Sequence, residues 1–274
     1  ELARAAMEVL GHPRPQAAVL AVAGPVERGR ACRAPNIAYG FDLDALPAGL
    51  LPGRSLLVND FTAQAHGCRL LGEAGSREVL PGRMDEELTQ AVAGPGTGLG
   101  KAALVPDGRG GYAVCGSEGG HAAFPFNGRA EQDFQNFAAD ALNEPFVRWE
   151  SVVSGSGLAL IHRYLTGEEL TPREVSGRLS GDHATARWFA RFLGRALRDY
   201  ALEVLARGGV YVSGGVAAKN GWLLDMPEMA REFRASATHG ARMAAIPVRL
   251  VADESVGLMG AAALASRLAV GEAR

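Results

Sequence analysis

AVAGPGTGLGKAALVPDGRGGYAVCGSEGGHAAF, residues 91–124, is the stretch on which the reading of this chain turns. An apolar run enters a turn carrying Gly94, Gly96, Gly98 and Gly100, with Thr97 among them. A second apolar run leaves it, and a third leads into Glu118, Gly119, Gly120 and His121. Glycine has no Cβ, so such a turn can bend tightly and approach a ligand closely. Successive N–H groups there form a concave anion site, to which the Thr97 hydroxyl adds a donor. Glu118 and His121 offer the acceptor and donor that polyol hydroxyls need. Phosphate handling beside hydroxyl recognition suggests phosphoryl transfer to a sugar. The turn taken alone also fits an ordinary β-hairpin. It is not a Walker A loop, since no Gly-Lys-Ser/Thr follows, and not a dinucleotide turn, since KAALVP reads as a strand.

Working upstream, RSLLVNDFTAQAHGCRLL (54–71) predicts a buried strand over 55–59 and then a helix, with apolar or small residues at 61, 63, 65, 68 and 71. Asn59 and Asp60 fall at the junction. Residues 1–10 predict a helix ended by Gly11 and Pro13, and 17–26 a strand closed by Gly-Pro. A weaker, edge-type strand is expected within 29–41, where Pro35 argues against a central position. LDALPAG (43–49) reads as a turn or short helix. Downstream come a weak strand near 77–80 and hairpins over 89–116. Helices follow over 129–143, 156–165 and 183–206. RWESVVSGSG (148–157) carries a short strand-like stretch into a Gly/Ser turn. A strand bracketed by glycine pairs lies within 208–221, the last strand over 246–253 and the last helix over 255–270.

Strands alternating with helices argue an α/β layered architecture. The 274 residues favour two domains. The expected division is a smaller α/β domain over 1–95 and a larger one over 96–274, with the last helix packing back on the first.

Charge is nearly balanced, 28 Lys and Arg against 30 Asp and Glu, and no basic stripe stands out, which argues against a nucleic-acid partner. No apolar run is long enough to span a bilayer, and the opening residues read as an amphipathic helix rather than a secretory leader. Cys32, Cys68 and Cys115 are odd in number and far apart, which supports neither a disulfide framework nor a zinc site. A reducing, cytoplasmic setting is expected. Cys115 reads better as a buried small hydrophobe than as a reactive thiol.

Asp60 is the candidate catalytic base. A carboxylate at the C-terminal end of a strand faces the crevice where α/β folds bind ligands, and an adjacent helix N-terminus favours its ionised form. It could take a hydroxyl proton as phosphate is attacked. Asp60 also suits the N-cap of the following helix, and both roles can hold together. Asn59, Glu118, His121 and Glu150 supply donors and acceptors for ring hydroxyls. The structural alternatives are a hydrogen-bonding role for His121 and a solvated surface for Glu150. Trp149 and Val152–Val153 surround Glu150 with apolar chain, so its carboxylate is expected to have a specific partner. Three glycine turns, 94–100, 155–157 and 208–215, each join a strand to its next element and could together enclose a nucleotide. Gly214 and Gly215, at a strand end before a helix, suit a nucleotide contact.

Together these residues resemble the bacterial glucokinase family within the sugar-kinase, actin-like ATPase (ribonuclease H-like) fold. The matching stretches are LLVNDFTA (56–63), AGPGTGLGKA (93–102), SEGGHAAF (117–124), WESVVSGSGL (149–158), GGVYVSGGV (208–216) and VGLMGAA (256–262), in the family's order across nearly the whole chain. The resemblance implies two α/β domains with an active site in an interdomain cleft. It implies ATP-dependent phosphorylation of D-glucose to glucose 6-phosphate, with Asp60 as base on the 6-hydroxyl. Asn59, Glu118, His121 and Glu150 would hold the other hydroxyls. Gly94, Gly96, Thr97 and Gly98 would lie at the phosphates, and Gly214 and Gly215 beside the adenosine. Mg²⁺ would arrive with ATP, and no protein metal site is implied. The related repressor-type sugar kinases carry a cysteine-rich zinc loop after Gly-Gly-His. AAFPFN stands there in this chain, which disfavours that branch.

One departure matters. Family members open with a strand, an Asp-x-Gly-Gly-Thr phosphate loop and a hairpin, and no segment of this sequence matches them. The expectation is a natural protein longer by about one hairpin and a helix, judged from usual connection lengths, and poor catalysis by the polypeptide as written. The alternatives are a kinase for another hexose and a non-catalytic sugar-binding sensor that has lost the phosphate loop. Homodimers are common among such enzymes, but no interface is legible here.

Overall fold

The computed structural model describes residues 15–33 and 40–271. The helix expected over 1–10, and the middle of the weak strand expected within 29–41, lie outside those residues.

The chain divides into two units. The first takes the described residues through Leu70 and those from Ser255 onward; the second is Leu71–Glu254. In the first unit, β1 (Ala18–Val22) pairs in parallel with β5 (Ser55–Asn59), Ala18 against Ser55 through Val22 against Asn59. Three two-residue strands, β2 (Val26–Glu27), β3 (Ala31–Cys32) and β4 (Phe41–Asp42), form a small antiparallel sheet, and 43–49 is turn. Among the described residues two helices belong to this unit, α1 (Asp60–Leu71) and the last helix, Val256–Val270. Val58, Ala63, Ala261 and Leu264 form a buried cluster in which small residues let helices approach closely.

The second unit is built on a six-stranded sheet in the order β6-β11-β10-β7-β8-β9. Its strands are β6 (Arg77–Leu80), β7 (Gln90–Pro95), β8 (Leu99–Pro106), β9 (Tyr112–Ser117), β10 (Gly209–Ser213) and β11 (Val248–Val251). β7, β10 and β11 run parallel, while β8, β9 and β6 run antiparallel to their neighbours. Every residue of β7 and β10 is buried, as expected of central strands covered on both faces. Residues 71–95 therefore lie in the second unit, not in the first domain as expected. β7 is central to the large sheet, and β6 pairs with β11.

α2 (Arg129–Leu142), α3 (Trp149–Val152), α4 (Gly155–Thr166), α5 (Pro172–Arg178), α6 (Ala184–Glu203), α7 (Gly215–Lys219), α8 (Pro227–Arg234) and α9 (Gly240–Ala245) follow in chain order, and the last helix is α10. α5, α8 and α9 were not anticipated. α5 has a clear signature: Thr171 and Glu174 form a reciprocal capping box with Pro172 at the first helical position. The strand-like stretch expected within 148–157 is instead a helical turn, Trp149–Val152, preceded by an isolated antiparallel bridge between Ala123 and Arg148. Short apolar runs do not distinguish a buried strand from a buried helical turn. Cys115 also departs from expectation: it shares a sheet face with Ala103 and Ala91, but β9 is an edge strand and leaves it exposed.

The core of the second unit is aromatic. Phe124, Phe134, Phe192 and Trp188 pack in edge-on and stacked pairs 4.8–6.0 Å apart. Beside them Arg195, 3% exposed, gives a bidentate pair to Glu131 (2.6 and 3.1 Å) and further bonds to Glu232 and the Pro125 carbonyl. With its donors satisfied in this way, a buried guanidinium can be held in an apolar interior. It fixes α6 to α2, α8 and the chain after His121.

Candidate functional site

In the first unit, β5 delivers Asn59 and Asp60 to the start of α1. Asn59 is the cap: its Oδ1 accepts from Phe61 N–H (2.9 Å) and Thr62 N–H (3.2 Å), and its Nδ2 donates to the Gly24 carbonyl (3.2 Å). Asp60 is the first helical residue rather than the cap, and its Oδ1 shares the Phe61 N–H (2.9 Å). Burial pushes the Asp60 carboxyl above the usual carboxylate range, opposed by that backbone bond. A carboxylate so placed is a stronger base than one in water. Replacing Asn59 by Ala removes a side-chain cap and should cost about 1 kcal/mol of stability, read as a lower urea midpoint. Asn59→Asp, which keeps an accepting oxygen, should lose much less.

In the second unit, β9 ends at Ser117, whose Oγ accepts the Gly119 N–H (3.0 Å) and so starts the turn Gly119–His121. Two backbone bonds then tie the chain after His121 to the chain before α3: Phe124 N–H to Val147 O (2.9 Å) and Trp149 N–H to Ala122 O (3.0 Å). Trp149, 4% exposed, lies edge-on against Phe124 at 4.6 Å. This apolar anchoring brings Glu150 beside His121. His121 Nδ1 is 3.2 Å from Glu150 Oε1, and His121 Nε2 is 3.5 Å from Glu118 Oε2. The side chains of Glu118 and His121 are 50% and 43% exposed, so this cluster faces solvent and is not a core hydrogen-bond network.

Arg148 completes the cluster and was missed in the sequence. Its Nη1 lies 2.5 Å from Glu150 Oε1 and 3.0 Å from His121 Nδ1, while Nε and Nη2 grip the two oxygens of Glu144 (3.0 and 2.6 Å). The Arg148 bond holds the Glu144 carboxyl below its ordinary range, and Glu144 in turn raises Arg148. The specific partner expected for Glu150 is thus a pair, Arg148 and His121. The available signal was Arg148 itself, a cation two residues from Glu150 at the edge of an apolar run.

The glycine turns of the second unit converge. Gly96 N–H donates to Gly98 O (2.8 Å), and Gly155 N–H donates to Gly96 O (2.9 Å), joining the β7–β8 turn to the start of α4. Ser154 caps α4 by accepting the Gly157 N–H (3.1 Å). A Cβ on Gly98 would stand 2.5 Å from Glu150 Oε2, so glycine there lets the turn lie against the carboxylate. Gly214 (φ +125°) and Gly215 lead from β10 into α7, and a Cβ on Gly155 would touch Val216 of α7 at 3.7 Å. Thr97 is exposed. It lines a cavity of about 330 Å³ together with Ser151, Ser156, Arg148, Glu150 and Arg163. Thr97 and Glu150 therefore share one opening, the rest of which is lined in part by Leu142, Ala159, Leu160 and Leu170.

Lys101 also had no role in the sequence reading. It is 1% exposed, with its ammonium over the rings of Trp149 (5.1 Å) and Tyr200 (5.2 Å), and burial lowers its pKa. Among the described residues, no group of three or more His, Cys, Asp or Glu could hold a metal ion, and no helix is long and apolar enough to cross a membrane.

A family model described as Glucokinase matches residues 2–268. The glucokinase of Chromobacterium violaceum is 36% identical over 272 residues, covering 95% of this chain and 77% of that protein. The glucokinase of Synechocystis is 30% identical, covering 94% and 82%. Among solved structures, a glucokinase from an Antarctic psychrotroph superposes with a TM-score of 0.80 at 28% identity, over 97% of this chain and 85% of the other. A glucokinase from Balamuthia mandrillaris, solved in complex with glucose, reaches 0.83 at 20% identity over 97% and 81% of the two chains, a likeness of fold. The α/β architecture is that of the actin-like ATPase sugar kinases, as the sequence led us to expect.

Proposed function

This chain belongs to the glucokinase family, and we infer from that membership and from the site that it is a sugar kinase phosphorylating D-glucose. The observation that supports this most directly is the open Glu118–His121–Glu150 cluster beside the glycine turn of Gly96, Thr97 and Gly98.

The donor is ATP. A ROK family glucokinase from Streptomyces griseus was solved with glucose and AMPPNP, and the converging glycine turns suit a nucleotide. Gly94, Gly96, Thr97 and Gly98 are assigned to the phosphates, and Gly214 and Gly215 to the side of the adenosine. Mg²⁺ arriving with the nucleotide would supply charge neutralisation at its phosphates; phosphoryl transfer depends mainly on positioning and electrostatics. Glu118, His121 and Glu150 hold ring hydroxyls. Asn59 keeps one amide hydrogen beyond its bond to Gly24 and donates it to the sugar. Asp60 takes the proton of the 6-hydroxyl as that oxygen attacks the γ-phosphorus. The bond from γ-phosphorus to the bridging oxygen breaks, leaving ADP and glucose 6-phosphate.

The test is ADP release coupled to a dehydrogenase across glucose, mannose and N-acetylglucosamine, with and without Mg²⁺. Turnover strongest on glucose supports the reading. In the full-length protein, glucose binding without turnover would make it a sensor, and faster turnover of another hexose would reassign the substrate. Glu150→Gln should raise the glucose KM about tenfold, the value of roughly 1.5 kcal/mol for a hydrogen bond to a charged group, and leave the ATP KM unchanged. An unaltered glucose KM would remove Glu150 from the sugar site.

A further inference from the structure

We propose that Arg148 is a positioning residue that selects the tautomer of His121 and thereby fixes which sugar hydroxyls the cluster can hold. The proposal rests on the assignment of Glu118, His121 and Glu150 to the sugar.

A guanidinium has five N–H donors, no acceptor, and does not deprotonate in proteins. Four of those donors have partners here. Nε and one hydrogen of Nη2 go to Glu144, and the two hydrogens of Nη1 go to Glu150 Oε1 and His121 Nδ1. A donor 3.0 Å from Nδ1 requires a lone pair on that nitrogen. Neutral His121 then carries its proton on Nε2, the nitrogen facing Glu118 Oε2 at 3.5 Å.

The alternative tautomer has its own partner. Glu150 Oε1 is 3.2 Å from Nδ1, close enough to accept an Nδ1–H. With Arg148 gone, carboxylate oxygen and imidazole lone pair would face each other with no proton between them. That contact is relieved when the imidazole proton moves to Nδ1. Nε2 then becomes an acceptor facing the Glu118 carboxylate, and a hydroxyl placed between Glu118 and His121 loses its donor. Arg148 thus sets the polarity of the pair: His121 donates, Glu118 accepts. Glu144, gripping the far side of the guanidinium, keeps Arg148 from turning away.

The experiment is long-range ¹H–¹⁵N correlation on the full chain with ¹⁵N-labelled histidine, above the pH range where imidazole protonates, with His121 assigned from its absence in His121→Gln. The wild-type spectrum is expected to show an unprotonated Nδ1 and a protonated Nε2. Arg148→Met should reverse or average that pattern, and raise the glucose KM about tenfold with kcat at saturating glucose little changed. Protonated Nδ1 in the wild type overturns the proposal and needs no variant to be seen. So does an unchanged tautomer in a folded Arg148→Met protein. A reversed tautomer with an unchanged glucose KM overturns the hydroxyl-binding role of His121 while leaving its control by Arg148 standing. A raised glucose KM in Glu150→Gln without any tautomer change in Arg148→Met overturns the control by Arg148 while leaving Glu150 at the sugar.

Discussion

Asp60→Asn should lower kcat about 10³-fold, the scale of a lost general base, while glucose still binds and the folded protein melts no lower than the wild type. The two halves of this expectation come from one physical cause. Burial raises the Asp60 pKa, so the native state favours the protonated form more than the unfolded chain does. A group whose folded pKa is raised contributes stability below its unfolded pKa, and that contribution is lost as pH rises through the folded value. At neutral pH the ionised Asp60 is therefore a burden on the fold, retained against its burial. Asparagine removes the charge and keeps an oxygen that can accept the Phe61 N–H. It gives up the favourable field of the α1 N-terminus, worth about 0.3–1 kcal/mol, but in Asp60 burial outweighs the opposing backbone bond. Calorimetry from the acid range to neutral should show the two melting curves converging as pH falls and Asp60 protonates. Near-normal turnover of Asp60→Asn would remove the base assignment. A melting temperature clearly below wild type at neutral pH would show that the ionised carboxylate stabilises the fold instead.

The sequence told where the junction lies but not how its two residues divide the work. LLVNDFTA marked strand, junction and helix because apolar spacing and an Asx pair give that boundary a local signature. Asn59 and Asp60 are both good caps, and only the strand's exit direction, which puts Asn59 Oδ1 under Phe61 N–H and Thr62 N–H, decides between them. The same limit applied to WESVV. Its burial was legible, but its conformation was not, because two backbone bonds to the chain around Ala122 and Phe124 shape it from elsewhere in the sequence. Arg148 escaped notice for a related reason: its significance depends on His121, twenty-seven residues away, and no local pattern pairs them. Cys115 was misjudged because strand alternation tells which residues share a face, not whether a strand is central or at an edge. The boundary at 95 failed similarly. β6 and β7 precede the glycine turn in sequence, but long-range pairing with β10 and β11 places them in the second unit.

The glycines were legible as a group, and two alanine substitutions separate what they do. Gly94→Ala should cost about 3 kcal/mol or more, at the upper end for overpacking. A Cβ there would stand 1.2 Å from the Ser213 carbonyl oxygen and 2.3 Å from its carbon. These are backbone atoms of β10, so no side-chain rotation relieves the clash, and the ends of β7 and β10 must part. Ser213 leads directly into Gly214, itself packed against Pro95, so the displacement passes to the turn assigned to the adenosine. With a melting shift of about 2–4 °C per kcal/mol for a domain of this size, Gly94→Ala should melt roughly 10 °C lower. Its folded fraction should bind ATP more weakly while its glucose affinity holds. Gly96→Ala is the contrasting case: nothing lies within 4 Å of the Cβ position and the backbone does not occupy the left-handed region. Its melting temperature should match wild type. If its ATP KM nonetheless rises, the close approach that Gly96 permits is to the nucleotide and not to another part of the chain. If Gly96→Ala leaves both unchanged, the turn's glycines serve the sheet alone, and the phosphate assignment of Gly96 fails.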